Sequence, residues 1–153
     1  MYRKILLLMA TPFFLTGCFF QKEENTQGFE KKNEEELVVE RSYDEIAEYR
    51  IFWSDIFKQC NELYYVYLYS LTCSHCRSIK NEMIDYGVKQ TLPIYFVESS
   101  PEHSIGEKFD KNSPVFSIES LLIRGYPTLL RLEENVVVYI AEGTKEIFTE
   151  LKI

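Results

Sequence analysis

Tyr64-Tyr65-Val66-Tyr67-Leu68-Tyr69 leads through Ser70-Leu71-Thr72 into Cys73-Ser74-His75-Cys76, and Gly125-Tyr126-Pro127-Thr128-Leu129-Leu130 follows later in the chain. The first stretch reads as a nearly continuous apolar strand, which is the pattern of a strand buried on both faces. It delivers two cysteines to the first turn of a helix. The positive end of a helix dipole stabilises a thiolate, so a Cys-x-x-Cys in that position is suited to redox chemistry. The second stretch, Gly-x-Pro-Thr before another apolar run, reads as a cis-proline loop beside such a site. Either piece alone is a weak signal. Together, in this order, they point to thiol–disulfide chemistry. The competing readings are a metal pair and two unrelated core cysteines. A Cys₄ or Cys₂His₂ site needs further ligands, and the chain holds no second Cys-x-x-Cys and no His-x₃-His.

Outward from these two motifs the elements follow by periodicity. Ser42, with Glu45 three residues on, forms a capping-box signature. The helix it opens carries Ile46, Ala47, Tyr49, Trp53, Ile56, Phe57 and Cys60 at helical spacing. That spacing puts Cys60 on the apolar face, as a buried free thiol. The helix from the cysteine pair turns Ile79, Met83 and Ile84 inward and is expected to end near Gly87. Pro93-Ile94-Tyr95-Phe96-Val97 is a further strand, with Pro93 at its start. Residues 99–113 are polar, carry Pro101 and Gly106 and show no periodicity. His103 within them reads as a solvated loop residue. Ser117 to Arg124 reads as a short helix. Thr128–Leu132 and Val136–Ile140 read as a hairpin around Glu133-Glu134-Asn135, and Thr144–Leu151 as the last helix. Before all of these, Leu37-Val38-Val39 is a short β-prone run.

The matching residues are Cys73-x-x-Cys76 after a strand, Arg124-Gly125-Tyr126-Pro127-Thr128-Leu129-Leu130, the hairpin that follows, and Gly143 before a closing helix. On them the chain resembles the thioredoxin superfamily over roughly Leu37 to Ile153. The resemblance implies a thioredoxin-like α/β fold, a central mixed β-sheet flanked by α-helices. It implies Cys73 as nucleophile, Cys76 as resolving thiol, a Cys73–Cys76 disulfide, and Pro127 in cis facing them. Tyr126 would then offer backbone hydrogen bonds to an extended client peptide. Neither cofactor nor metal is expected. The chain departs from thioredoxin in three places: Thr72 stands for Trp, Tyr67 for a buried acid, and Ser74-His75 for Gly-Pro. Without that acid, the proton acceptor for Cys76 is open between a water, Tyr67 and Glu98. His75 decides the expected direction. An imidazole near the Cys73 sulfur favours the charged form, which stabilises the reduced state and makes the disulfide more oxidising.

The N-terminus reads as a targeting segment. Arg3 and Lys4 precede an apolar core from Ile5 to Leu15, too short for a confident membrane span. It ends in Leu15-Thr16-Gly17-Cys18, which resembles the lipobox of bacterial lipoproteins. Residues 1–17 are therefore expected as a lipoprotein signal peptide, residues 18–36 as a lipidated Cys18 with a polar tether, and 37–153 as the domain. A domain of that length buries about two-thirds of its surface, enough for a core without structural disulfides. The formal charge of −7 becomes more negative once Arg3 and Lys4 are removed, which argues against nucleic acid and against a polybasic membrane contact.

The expectation is thus a thiol–disulfide oxidoreductase, lipid-anchored to the cell membrane and facing outside the cytoplasm. It leans to oxidase or isomerase. Cysteine-containing exported proteins or peptides are the expected clients, with a membrane redox partner. Two alternatives stand beside it. One is a reductase for exported clients. The other, from the similarity to small thioredoxin-like lipoproteins of bacteriocin export systems, is an accessory protein that binds a peptide or transporter without turnover.

Overall fold

The computed structural model describes residues 40–89, 92–103, 105–106 and 113–153. All of them fall in one compact unit, Val38–Ile153. The leader, Cys18, the tether and the run Leu37-Val38-Val39 lie outside the described residues, as does part of the 99–113 stretch.

Four strands form one sheet in the order β2-β1-β3-β4. They are β1 (Leu63–Tyr69), β2 (Ile94–Glu98), β3 (Thr128–Glu133) and β4 (Val136–Glu142). β1 pairs in parallel with β2, with Tyr67 opposite Phe96, and antiparallel with β3, with Tyr67 opposite Leu129. Strand β1 is therefore central, which explains its unbroken apolar run: both of its faces are covered. Strands β3 and β4 form the expected hairpin. Glu134 and Asn135 both take positive φ, 49° and 61°, as a two-residue turn matched to strand twist requires. Tyr64 Oη donates to the Ile56 carbonyl at 2.7 Å, so Asn135 turns its amide nitrogen toward that hydroxyl, 2.6 Å away.

One face of the sheet carries the helices. They are α1 (Ser74–Ser78), α2 (Lys80–Lys89) and α3 (Gly143–Leu151). Their side chains Cys76, Ile79, Met83, Ile84, Ile147 and Leu151 meet Tyr65, Tyr67, Tyr69, Phe96 and Leu129 from the strands. The alternate residues Tyr64, Val66, Leu68, Leu130 and Leu132 point the other way. There they meet Trp53, Ile56, Val115, Leu121 and Ile123. This two-sided alternation follows from the strand period of two.

Two expected elements differ. The capping box at Ser42 is present, with Ser42 N donating to Glu45 Oε1 at 3.1 Å and Asp44 N to Ser42 Oγ at 3.2 Å. It opens only a 3₁₀ segment, Tyr43–Tyr49, kinked at Ile46, and a second short turn follows at Trp53–Asp55. Between them the backbone is drawn to the free edge of β2, where Ile51 N donates to the Phe96 carbonyl at 3.0 Å. That sheet contact outweighs the helical periodicity, and it also covers an edge that would otherwise be open. Cys60 consequently lies beyond any helix and is exposed rather than buried in the core. Residues 117–124 form turns, not a helix. Val115 bridges Val137 and Ile123 bridges Ile105, so the segment is held extended at both ends while Leu121 and Ile123 seal the sheet face. The helix from the cysteine pair ends near Gly87 as expected, at Lys89, and Gly87 itself lies in its last turn. A Cβ there would come within 2.9 Å of the Phe96 ring, so the glycine permits close approach of helix to sheet.

Candidate functional site

Strand β1 ends at Tyr69, and Cys73 caps α1 with extended backbone, φ −79° and ψ 122°. Its amide donates to the Ser70 carbonyl at 3.2 Å, and its carbonyl accepts from Arg77 N at 3.1 Å. Its sulfur is an N-cap acceptor, receiving the Cys76 amide at 3.3 Å. Cys73 is half-buried, whereas Cys76, one turn on, is 1% exposed. Burial, and after it the hydrogen bond with Cys73, pushes the Cys76 thiol up to about 12. The two sulfurs are thus unequal: one is reachable, the other is held as a neutral thiol beneath it.

The Tyr126–Pro127 peptide bond is cis, and Pro127 is buried. The loop is tied at its far side by Thr128 Oγ1 to the Gly125 carbonyl at 2.7 Å and by Gly143 N to the Pro127 carbonyl at 3.0 Å. Arg124 forks onto Glu142 across the same corner. On its near side the Tyr126 carbonyl accepts from the Cys73 thiol at 3.3 Å. Cys73, Cys76, Tyr126 and Pro127, separated by some fifty residues in sequence, are therefore brought together. His75 lies on the exposed side of α1; its carbonyl accepts from Ser78 Oγ at 2.9 Å, and its ring makes no hydrogen bond among the described residues.

Beneath Cys76 lies a group of three tyrosines. Tyr43 stacks on Tyr69 with ring centroids 4.1 Å apart, and Tyr67 lies parallel to Tyr69 at 6.0 Å. Their hydroxyls are buried. Burial holds all three phenols well above the ordinary tyrosine value, Tyr69 at about 12, and for Tyr67 the neighbouring thiols add to it. Tyr67 is thus a neutral phenol at pH 7, not a carboxylate substitute. Glu98 instead pairs with Arg50 at 2.8 Å at the end of β2.

His103 is not the solvated loop residue its context suggests. It is 7% exposed, its ring stacks on Trp53 at 4.2 Å, and its Nδ1 lies 2.5 Å from the Tyr126 hydroxyl. Sequence reasoning missed it because nothing local marks it. The signal was indirect: an imidazole and the lone Trp53 are each large enough to need a place in a small core. Among the described residues no group of three or more His, Cys, Asp or Glu could hold a metal ion, and no helix is long and apolar enough to cross a membrane.

A mixed sheet of this order, with Cys-x-x-Cys where β1 passes into a helix and a cis-proline opening β3, is a thioredoxin-like α/β fold. Among solved structures the chain is similar to thioredoxin f2 of Chlamydomonas reinhardtii, at 15% identity over 67% of this chain and 90% of that one, with a TM-score of 0.46. It is similar also to the long form of thioredoxin f from spinach chloroplast, at 14% identity over 72% and 92%, with a TM-score of 0.43. No family model matches the chain, and no curated protein matches it.

Proposed function

We propose that this domain is a thiol–disulfide oxidoreductase working through Cys73 and Cys76, and that it acts as an oxidase or isomerase of exported cysteine-containing proteins or peptides. The observation that carries the reading is the junction at Cys73. A half-buried sulfur, capped by the Cys76 amide, faces the backbone of Tyr126 at a cis-proline. A client strand that displaces the thiol from the Tyr126 carbonyl finds backbone groups ready beside the sulfur.

In the oxidising direction a client thiolate attacks Sγ of Cys73 in the Cys73–Cys76 disulfide. The S–S bond breaks, and Cys76 leaves with the electron pair and takes up a proton, which its raised pKa favours. A second client thiolate attacks the client sulfur of the mixed disulfide, and Cys73 leaves. Two electrons have passed to the domain, which ends as the dithiol, and a membrane redox partner takes them on. The neutral Tyr67 in place of an acid supports this direction.

Equilibration with glutathione tests it. The expected potential is less reducing than thioredoxin's value of about −270 mV, near about −180 mV. A potential at or below thioredoxin's puts the reductase reading first. Exchange activity absent from the wild type, with function retained in Cys73→Ser, points instead to the accessory binding role. We propose further that Cys18 carries lipid and anchors the domain outside the cytoplasm. Cys18→Ala is expected in the soluble fraction or unprocessed; a wild-type mature form that begins elsewhere and carries no lipid ends that idea.

A further inference from the structure

We propose that His103 is a positioning residue for the cis-proline loop: through the Tyr126 hydroxyl it sets how that loop presents its backbone to a client peptide. The inference rests on the oxidoreductase reading above and adds to it a residue from outside both motifs.

The imidazole is fixed on three sides. Its face lies on Trp53, with centroids 4.2 Å apart and 25° between the planes. Its amide donates to the Ser100 carbonyl at 3.2 Å, closing a turn that turns the ring inward. Its Nδ1 shares a short hydrogen bond with Tyr126 Oη. Trp53 belongs to the core on one face of the sheet, so His103 couples that face to the loop. Tyr126 in turn touches the buried clusters of both faces, and its carbonyl receives the Cys73 thiol at 3.3 Å. The route is therefore short and made of contacts: Trp53, His103, the Tyr126 ring, the Tyr126 carbonyl, Cys73.

The cost of the arrangement argues that it is specific. His103 Nε2 is buried with no partner among the described residues, and leaving a buried polar atom unpaired is unfavourable. Phe or Leu would stack on Trp53 without that cost, but neither could bond to the Tyr126 hydroxyl. A hydrogen bond that holds a loop in its binding conformation removes part of the ordering cost of association. Its loss should therefore appear in the affinity for an extended peptide and not in the chemistry of the sulfur.

The test uses a dithiol peptide, which needs the loop, and dithiothreitol, which does not, each with oxidised glutathione to return Cys73 and Cys76 to the disulfide after every turnover. His103→Ala is expected to raise KM for the peptide about tenfold, equal to about 1.4 kcal/mol, with kcat and the glutathione equilibrium potential unchanged. The rate with dithiothreitol should change less than twofold. His103→Asn, whose amide can stand where Nδ1 stands, should recover most of the loss. Tyr126→Phe should raise the peptide KM by a similar factor, and the double variant His103→Ala, Tyr126→Phe should be no worse than either single one. Unchanged peptide KM in His103→Ala, additive losses in the double variant, or no recovery by Asn overturns the proposal. A parallel fall with dithiothreitol also overturns it, because His103 would then support the site only structurally. A wild type that exchanges with neither reagent removes the oxidoreductase reading, and the inference with it; a wild type active on both keeps that reading whatever the variants do.

Discussion

Three cysteines of the described domain meet three environments, and the difference is decided by position, not by residue type. Cys60 is exposed past the end of a short turn, Cys73 is half-buried at a helix cap, and Cys76 is buried over the three tyrosines. A thiol reacts as its thiolate and only where reagent can reach it. Iodoacetamide applied to the reduced native protein near pH 8 should therefore modify Cys60 and Cys73 readily and Cys76 at least a hundredfold more slowly, with site mapping by mass spectrometry. In Cys73→Ser, labelling of Cys76 should stay slow until the pH passes about 10, since burial holds that thiol near about 12. Comparable labelling of Cys60 and Cys76 in the folded protein would contradict this placement. Of these three, sequence periodicity placed Cys60 wrongly, because helical spacing carries meaning only where a helix forms.

At the scale of elements, helix α2 and strand β2 approach closely because position 87 has no side chain. Alanine would gain about 1 kcal/mol of helix propensity over glycine. Its Cβ, however, would lie 2.9 Å from Phe96 Cε2 and 3.3 Å from Ile46 Cγ2, and Phe96 is fully buried with no space to retreat into. Overpacking of that kind costs about 1–3 kcal/mol, so the clash outweighs the propensity. Gly87→Ala is expected to lower stability by about 1 kcal/mol or more, read as a shifted urea midpoint at constant m-value. A more stable Gly87→Ala protein would show that the helix does not sit this close. The same contrast between local and tertiary preference decides the segment after Ser42. Its capping box starts a helical turn as the pattern predicts, and the hydrogen bond from Ile51 to Phe96 then draws the chain onto the sheet.

For the molecule as a whole, His103 predicts a pH dependence of stability. Burial holds the imidazole below its ordinary value, with Glu102 opposing more weakly; Arg50 and Glu98 line the same cavity. The unfolded chain thus takes up a proton before the folded one does. Stability is full above about pH 6.5 and falls as the pH drops from there through the folded value of His103. The exposed carboxylates Glu40 and Glu45, held below the usual range by Lys80 and Arg41, titrate lower and leave that window clear. Urea midpoints between pH 7.5 and 5 should decline in the wild type and flatten in His103→Asn. Equal slopes in the two proteins would mean that His103 is protonated alike in both states.

What the sequence determined alone was local chemistry with strong periodicity. The apolar run Tyr64–Tyr69, the Cys73-Ser74-His75-Cys76 motif, Pro127 before Thr128-Leu129-Leu130, the hairpin at Glu134-Asn135 and the last helix all follow from side-chain pattern and turn chemistry. These signals are carried by neighbours in the chain. Only the tertiary structure decided which segments helical spacing would not keep helical, namely the stretch after Tyr49 and residues 117–124. In the first the bond from Ile51 to Phe96 at a sheet edge, and in the second the bond from Gly106 to Ile123, are made by residues distant in sequence and outweigh a weak helical preference. Tertiary structure alone also put His103 on Trp53 and against Tyr126, because a single residue in a polar segment has no period to betray it. Its role is set by what the fold places opposite it.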